Sequence, residues 1–274
     1  DLGRAPTLYV PDRIAEGYGP NAPAMRALGA EHDLVVCVDC GTVADGPVAE
    51  ARAAGAEVIV ADHHLCEKIP PRATAVVNPN RPDDESGLGH LCAAGVVFML
   101  IVAANRALRG HAAPTPDPMA LLDLVALATV ADVAPLVGLN RAFVAQGLRM
   151  MSERRNAGLR ALADAARLSG PPAAFHLGFL LGPRINAGGR VGAAELGARL
   201  LSTDDPREAA SLAGTLDGLN KDRQAIEAEV LAEAMAQAEA RGADGPLVWA
   251  AGEGWHPGVV GIVASRLKER FERP

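Results

Sequence analysis

Apolar positions in this chain come in short unbroken blocks. TLYV (7–10), DLVVCVDCG (33–41), EVIVADHH (57–64) and TAVVN (74–78) read as strands, and most of them stop abruptly at a polar residue. Ala-rich stretches, NAPAMRALGA (21–30) and VADGPVAEARAAGA (43–56), separate them and read as helices. Continuous apolar strands alternating with helices predict an α/β fold with a parallel sheet covered by helices on both faces. Two helices follow, at about 92–108 and 117–131, and helical sequence continues to about Leu201. From Pro206 to Arg241, Leu212, Leu216, Leu219, Ile226 and Val230 recur at spacings of three, four and seven, one face of a helix. At 1.5 Å per residue that helix is roughly 50 Å long, too long for the interior of one small domain. It therefore reads as a connector. GADG (242–245) breaks it, and PLVWAAG (246–252) reads as the first strand of a second α/β domain. The expected organisation is a first domain over 1–205, a connecting helix over 206–241 and the beginning of a second domain over 242–274.

Composition narrows the function. The 274 residues are 49% apolar and 3% aromatic, so the cores are built from Ala, Val and Leu. A net charge of -7 argues against a basic wrapper of nucleic acid but leaves room for a local cationic groove. No apolar run is long enough for a bilayer and no signal peptide is seen, which favours the cytoplasm and no membrane partner. The chain starts at Asp1 without a Met and reads as a fragment of something longer. Cys37 and Cys40 form C-x-x-C, a spacing used for zinc. Residues i and i+3 of a strand point to opposite faces, so these cysteines are expected to be reduced, partly buried thiols.

The chemistry gathers at strand ends. In an open parallel sheet, ligands bind at the carboxyl edge. Asp39 stands there on one predicted strand, and Asp62, His63 and His64 stand there on the next. Asp132 follows a helix and opens a loop with Pro135 and Gly138. Carboxylates with imidazole and no thiolate suit Mn²⁺ or Mg²⁺, and two such ions can drive phosphodiester hydrolysis. On the residues alone, DHH also reads as a helix cap followed by loop histidines. Gly188-Gly189 also reads as a tight turn, and 266–270 as a solvated helix face. His32, His90, His111 and His176 are taken as surface or structural residues.

Six motifs carry a resemblance. VDCG (38–41), ADHH (61–64) and ADVAPLVGLNR (131–141) resemble the DHH phosphoesterase superfamily. PDRIAEGYG (11–19), LGPRINAGGRVG (181–192) and GWHPGVVGIVASRLKERF (254–271) are similar to its RecJ family, single-strand-specific 5′ to 3′ DNA exonucleases of bacteria. The resemblance implies a DHH domain followed by the start of a DHHA1 domain. It implies Asp39, His63 and Asp132 as metal ligands, with Asp39 bridging two ions. His64 would contact the scissile phosphate, and Asp62 would orient a ligand. Arg13, Arg184, Asn186 and Arg190 would bind phosphates of the strand. In the second domain His256, Gly258 and Gly261 would do the same, with Ser265 and Arg266 near a helix N-terminal turn. A helicase and a single-strand-binding protein are implied as partners, and DNA repair and recombination as the setting.

The family's D-x-D-x-D-G motif is not matched; no D-x-D occurs in the 274 residues. The chain is therefore expected to be a weak or inactive nuclease by itself. The alternatives are a DHH phosphodiesterase of short oligoribonucleotides or cyclic dinucleotides, and a non-catalytic replication scaffold. The intact DHH, Asp39 and Asp132 oppose the scaffold.

Overall fold

Three parallel strands, β1 (Leu34–Val38), β2 (Glu57–Ala61) and β3 (Ala75–Val77), lie in the order β1-β2-β3. The computed structural model describes residues 5–66, 71–109, 115–242 and 245–274. The register matters most. Val38 pairs with Ala61 and Ala61 with Val77, so all three strands end level. The next residues, Asp39, Asp62 and Asn78, form a polar row along the carboxyl edge. Two backbone bonds hold the row: Asp39 N–H to Ala61 O and Asp62 N–H to Val77 O, both 3.0 Å.

Helices α1 (Ala22–Glu31) and α2 (Asp45–Ala53) pack closely together. Gly29 makes this possible, because a Cβ there would stand 2.4 Å from Ala51 O. Met25, Val48 and Ala51 close a core with Cys37, Val58 and Val60. Leu34, Val36 and Val38 on the alternate positions of β1 stay nearly half exposed, so among the described residues the cover is one-sided there. TLYV is not a strand. Leu8 and Val10 instead flank an apolar cavity of about 530 Å³ beside β1. A short apolar run makes a strand only when a neighbour completes the ladder, and none does among the described residues.

The rest is helical: α3 (Ala93–Ala107), α4 (Leu122–Ala131) after a 3₁₀ turn (Pro118–Leu121), α5 (Gly138–Ser152) and α6 (Ala157–Ala165). Then α7 (Ala174–His176), a π-helical turn (Leu177–Leu181) and α8 (Gly182–Val191) run on without a break, followed by α9 (Leu196–Ser202), α10 (Pro206–Arg241) and α11 (Pro257–Phe271). Gly188-Gly189 is thus helix interior, not a turn. Gly188 sits against Ala193 O and Leu216, where a larger residue has no room.

Helix α10 starts on Asp205, whose carboxylate accepts from Arg207 N–H at 2.8 Å, with Pro206 at the first position. Its first half buries Leu212 and Leu216 against Leu162, Leu177 and Leu200. Its second half buries Val230, Ala234 and Ala238 against Val259, Val263 and Leu267 of α11. PLVWAAG does not form the expected strand. Val248 N–H reaches Pro274 O at 3.0 Å, but no ladder follows. Its alternation is nonetheless real: Val248 and Ala250 pack on the α10–α11 core, and Leu247 and Trp249 are exposed. His111, and Ala243 and Asp244 of the expected helix break, lie outside the described residues. Among those residues no helix is long and apolar enough to cross a membrane.

One close approach has a measurable consequence. A Cβ at Gly147 of α5 would stand 2.1 Å from Leu122 O of α4. Gly147→Ala must push the two helices apart, and overpacking of this kind costs about 2–3 kcal/mol. Chemical unfolding should show the loss; a wild-type midpoint would mean the helices separate freely.

Candidate metal centre and cationic surface

Asp39 adopts a left-handed backbone, φ 62°, which aspartate tolerates better than most residues. This turn carries its carboxylate over the strand ends, where Oδ1 lies 3.1 Å from His63 Nε2. Asp132 arrives from the other side as the C-cap of α4, with Oδ2 3.8 Å from the same nitrogen. Val133, the next residue, also has positive φ, 57°, an uncommon conformation for a β-branched residue. Both carboxylates therefore sit at backbone turns that favour position over local comfort.

The electrostatics ask for a cation. Burial pushes the Asp39 carboxyl above its ordinary pKa, opposed by His63 and His64. Asp132 stands at the negative end of a helix, where a carboxylate is unfavourable unless a positive charge joins it. Donor atoms of Asp39, His63 and His64 lie within 4.8 Å of one another, and the side chains are partly exposed. Oxygen and imidazole donors fit Mn²⁺ or Mg²⁺ better than a soft ion.

Asp62 supports this centre from beneath. It is 1% exposed, yet accepts four hydrogen bonds. Oδ1 takes His63 N–H at 2.7 Å, His64 N–H at 3.3 Å and His64 Nδ1 at 2.7 Å, and Oδ2 takes Thr42 N–H at 3.1 Å. Burial raises the Asp62 carboxyl, but the bonds from His64, Thr42 and His63 outweigh it and hold it at about 2. In return Asp62 raises the pKa of His64, which favours imidazolium. It does not cap a helix.

Three residues of this network were not foreseen from the sequence: Thr42, Asn78 and Asn80. Asn78 donates to Thr42 Oγ1 and to the His64 carbonyl, both at 2.9 Å. Asn80 donates to the His63 carbonyl at 2.6 Å and the Gly89 carbonyl at 3.0 Å. Each histidine of the pair thus has its backbone held by an asparagine from the β3 end.

The thiols of Cys37 and Cys40 do not point apart. They lie together at the edge of one core, and their mutual interaction lowers the pKa of Cys37 and raises that of Cys40. The left-handed turn at Asp39 breaks the strand alternation on which the opposite expectation rested. Among the described residues no other ligand joins them as a metal cluster.

A second constellation lies where the N-terminal turn, α8, α10 and α11 meet. Arg13 is exposed, its guanidinium 5.6 Å from the Tyr18 ring centre and its Nη2 3.7 Å from where a Gly189 Cβ would be. Arg190 donates to Gly258 O at 3.0 Å. Its pKa is lowered by burial first and then by Arg13 and Arg223 nearby, opposed by Glu227 and Tyr18. Arg223, also unforeseen, is 9% exposed on α10, bonded to Asn220 and Glu227. It replaces an apolar residue on the stripe between Leu219 and Ile226, which was the available signal.

Other expected phosphate binders are placed differently. Arg184 donates to Asp217 at 2.9 Å and to Leu180 O at 2.7 Å, so its fork clamps α8 to α10. Asn186 is exposed on α8. His256 is the N-cap of α11 and accepts from Gly258 N–H at 3.0 Å, which removes that amide from any ligand. Gly258 is required by packing, since a Cβ would meet Arg190 O at 2.3 Å. Gly261 is exposed. Ser265 and Arg266 are past the middle of α11, not at its first turn, and Arg266 pairs with Glu269 at 3.2 Å.

The chain is similar to several known proteins. The family model described as "DHH family, N-terminal domain" matches residues 2–129. The single-stranded-DNA-specific exonuclease RecJ of Dickeya dadantii (strain 3937) is 42% identical over 291 residues, 99% of this chain and 50% of that protein. RecJ of Thermus thermophilus is 40% identical over 267 residues, 97% of this chain and 38% of the relative. The chain spans about half or less of the length of these curated relatives. Among solved structures, exonuclease RecJ bound to manganese superposes with TM-score 0.85 at 39% identity, covering 97% of this chain and 66% of that one. RecJ from Thermus thermophilus in complex with Mn²⁺ gives 0.79 at 38%, covering 93% and 37%.

Proposed function

We propose that the chain is a member of the DHH family, whose N-terminal domain model matches residues 2–129, and that it is the catalytic portion of a metal-dependent exonuclease that degrades single-stranded DNA from the 5′ end. The observation that supports this reading is that His63 Nε2, at the sheet's carboxyl edge, has a carboxylate oxygen of Asp39 at 3.1 Å and one of Asp132 at 3.8 Å. Those three side chains would hold Mn²⁺ or Mg²⁺. A bound ion there supplies an activated water and neutralises charge on the phosphate. His64, its Nδ1 fixed by Asp62, presents the opposite edge of its ring to a phosphate oxygen. Arg13 and Arg190 bind phosphates of the strand, and the relatives' names supply the substrate class.

The division at α10 fits two domains, 1–205 and 242–274, sharing the helix over 206–241. DNA repair and recombination in the cytoplasm, beside a helicase and a single-strand-binding protein, is the setting that the resemblance favours. The three convergent donors suffice for one ion, so the two-ion chemistry of the full family site is not expected from them, and turnover by this chain should be slow.

The test is a 3′-labelled, 5′-phosphorylated single strand incubated with the chain and Mn²⁺. A slow ladder of progressively shorter labelled strands, lost in EDTA and absent on duplex, is expected. Cleavage confined to two- to four-residue RNA or to cyclic dinucleotides would move the assignment to the other phosphodiesterases of the family. No Mn²⁺ binding at all would favour a scaffold.

A further inference from the structure

Aromatic side chains are scarce here: five Phe, two Tyr and two Trp in 274 residues. Phe98 and Phe143 behave as apolar residues should, buried edge to face with ring centres 4.9 Å apart. Phe175 and Phe179 do the opposite. They are 65% and 73% exposed, and their rings stack with centres 5.0 Å apart at 24°. An i, i+4 aromatic pair adds a few tenths of a kcal/mol to a helix, which does not explain why so much of both faces is left in water.

Their position is informative. Phe179 lies within the π-helical turn Leu177–Leu181, a rare element that recurs at functional sites. Gly178 within that turn and Gly182 just after it press on the last turn of α4. A Cβ at Gly178 would be 3.3 Å from Val130 Cγ1, and one at Gly182 would be 3.3 Å from Ala131 Cβ. The next residue of α4's chain is Asp132. The ring pair is therefore built on the segment that braces a carboxylate of the metal centre. The same helix runs on to Arg190, about 15 Å beyond the π turn by helical rise. The segment that carries the rings thus touches the end of α4 next to Asp132 and continues into the helix that carries Arg190.

We propose that the Phe175–Phe179 pair is a stacking platform for the bases of a single strand, placed beside the metal centre. This rests on the nuclease reading and deepens it. Every base has a π face, so a platform of this kind holds a strand without choosing its sequence, while arginines hold its phosphates. It also discriminates against duplex, whose bases are already stacked on each other.

The experiment measures binding with Ca²⁺ in place of Mn²⁺, so that catalysis does not enter. Two 5′-phosphorylated 12-residue strands are compared: oligothymidylate, and an abasic strand of equal length and charge. The wild-type chain should prefer thymidylate. Phe175→Ala/Phe179→Ala should weaken thymidylate binding about tenfold, within the range of base–aromatic stacking, and change abasic binding less than about twofold. Phe179→Trp should keep the preference, and its added fluorescence should be quenched by thymidylate and not by the abasic strand. Equal losses on both strands, or no quenching, overturn the platform and point to a protein surface that covers these rings. A wild-type chain that binds both strands alike overturns it too, leaving the nuclease reading standing. A wild-type chain that binds neither overturns both.

Discussion

Asp39→Asn should abolish Mn²⁺-dependent hydrolysis, lowering turnover on the order of a thousandfold, and weaken Mn²⁺ binding by more than about 100-fold. Asparagine is the informative replacement. It has nearly the size of aspartate and also accepts the left-handed conformation that Asp39 adopts at φ 62°. The backbone turn is therefore kept and the negative charge removed. A bound ion's share of transition-state stabilisation is several kcal/mol, which sets the size of the loss in rate. Replacing a group that merely orients a ligand costs 10–100-fold in affinity, so losing a ligand itself must exceed that. His63 would remain beside Asp132, but the oxygen 3.1 Å from His63 Nε2 would belong to a neutral amide. Calorimetric titration with Mn²⁺ decides the matter independently of turnover. Wild-type affinity in the variant would remove Asp39 from the centre and leave the sheet edge without its principal carboxylate.

How much of this was legible in the chain depends on range. Strand ends are local signals. Val38-Asp39 and Ala61-Asp62 change from apolar to charged in one step, and the level register of β1, β2 and β3 turns those steps into one row. The same reasoning applied to Val77-Asn78 would have found Asn78; a neutral amide simply attracts less attention than a carboxylate. The bounds of α10 were legible because Pro206 and Gly242 punctuate a long periodic stripe. Arg223 was legible on that stripe too, as the cation between Leu219 and Ile226.

What failed depended on partners distant in sequence. TLYV and PLVWAAG have strand composition, but a strand needs a ladder that no local pattern supplies. The turn that Gly188-Gly189 also allowed is helix, and Gly188 there answers to Leu216 and Ala193, contacts made only after folding. Arg184 looks like a phosphate binder in sequence, and in space it meets Asp217. The Cys37–Cys40 contact turns on one backbone angle at Asp39.

Asp62→Asn tests whether the centre is held from below. The carboxylate accepts bonds from three backbone amides and one imidazole, at 1% exposure. An amide presents one acceptor oxygen, and its NH₂ would face donors, so at least one buried N–H loses its partner. The pKa gives the scale. A carboxyl brought from its ordinary 3.8 to about 2 contributes roughly 2.5 kcal/mol of stability. The sign follows from the depression. The contribution is fully present above the unfolded pKa, near pH 4, and is lost as pH falls toward about 2. The variant should therefore unfold with about 2–3 kcal/mol less stability at pH 6, and the gap to wild type should begin to close below pH 4. A gap that stayed constant from pH 6 to pH 3 would assign the loss to packing rather than to the charge. His64 would lose its Nδ1 anchor in the same variant, so hydrolysis should fall 10–100-fold even where the protein is fully folded, the range for a group that positions another. A folded variant with wild-type turnover would mean that His64 finds its place without Asp62.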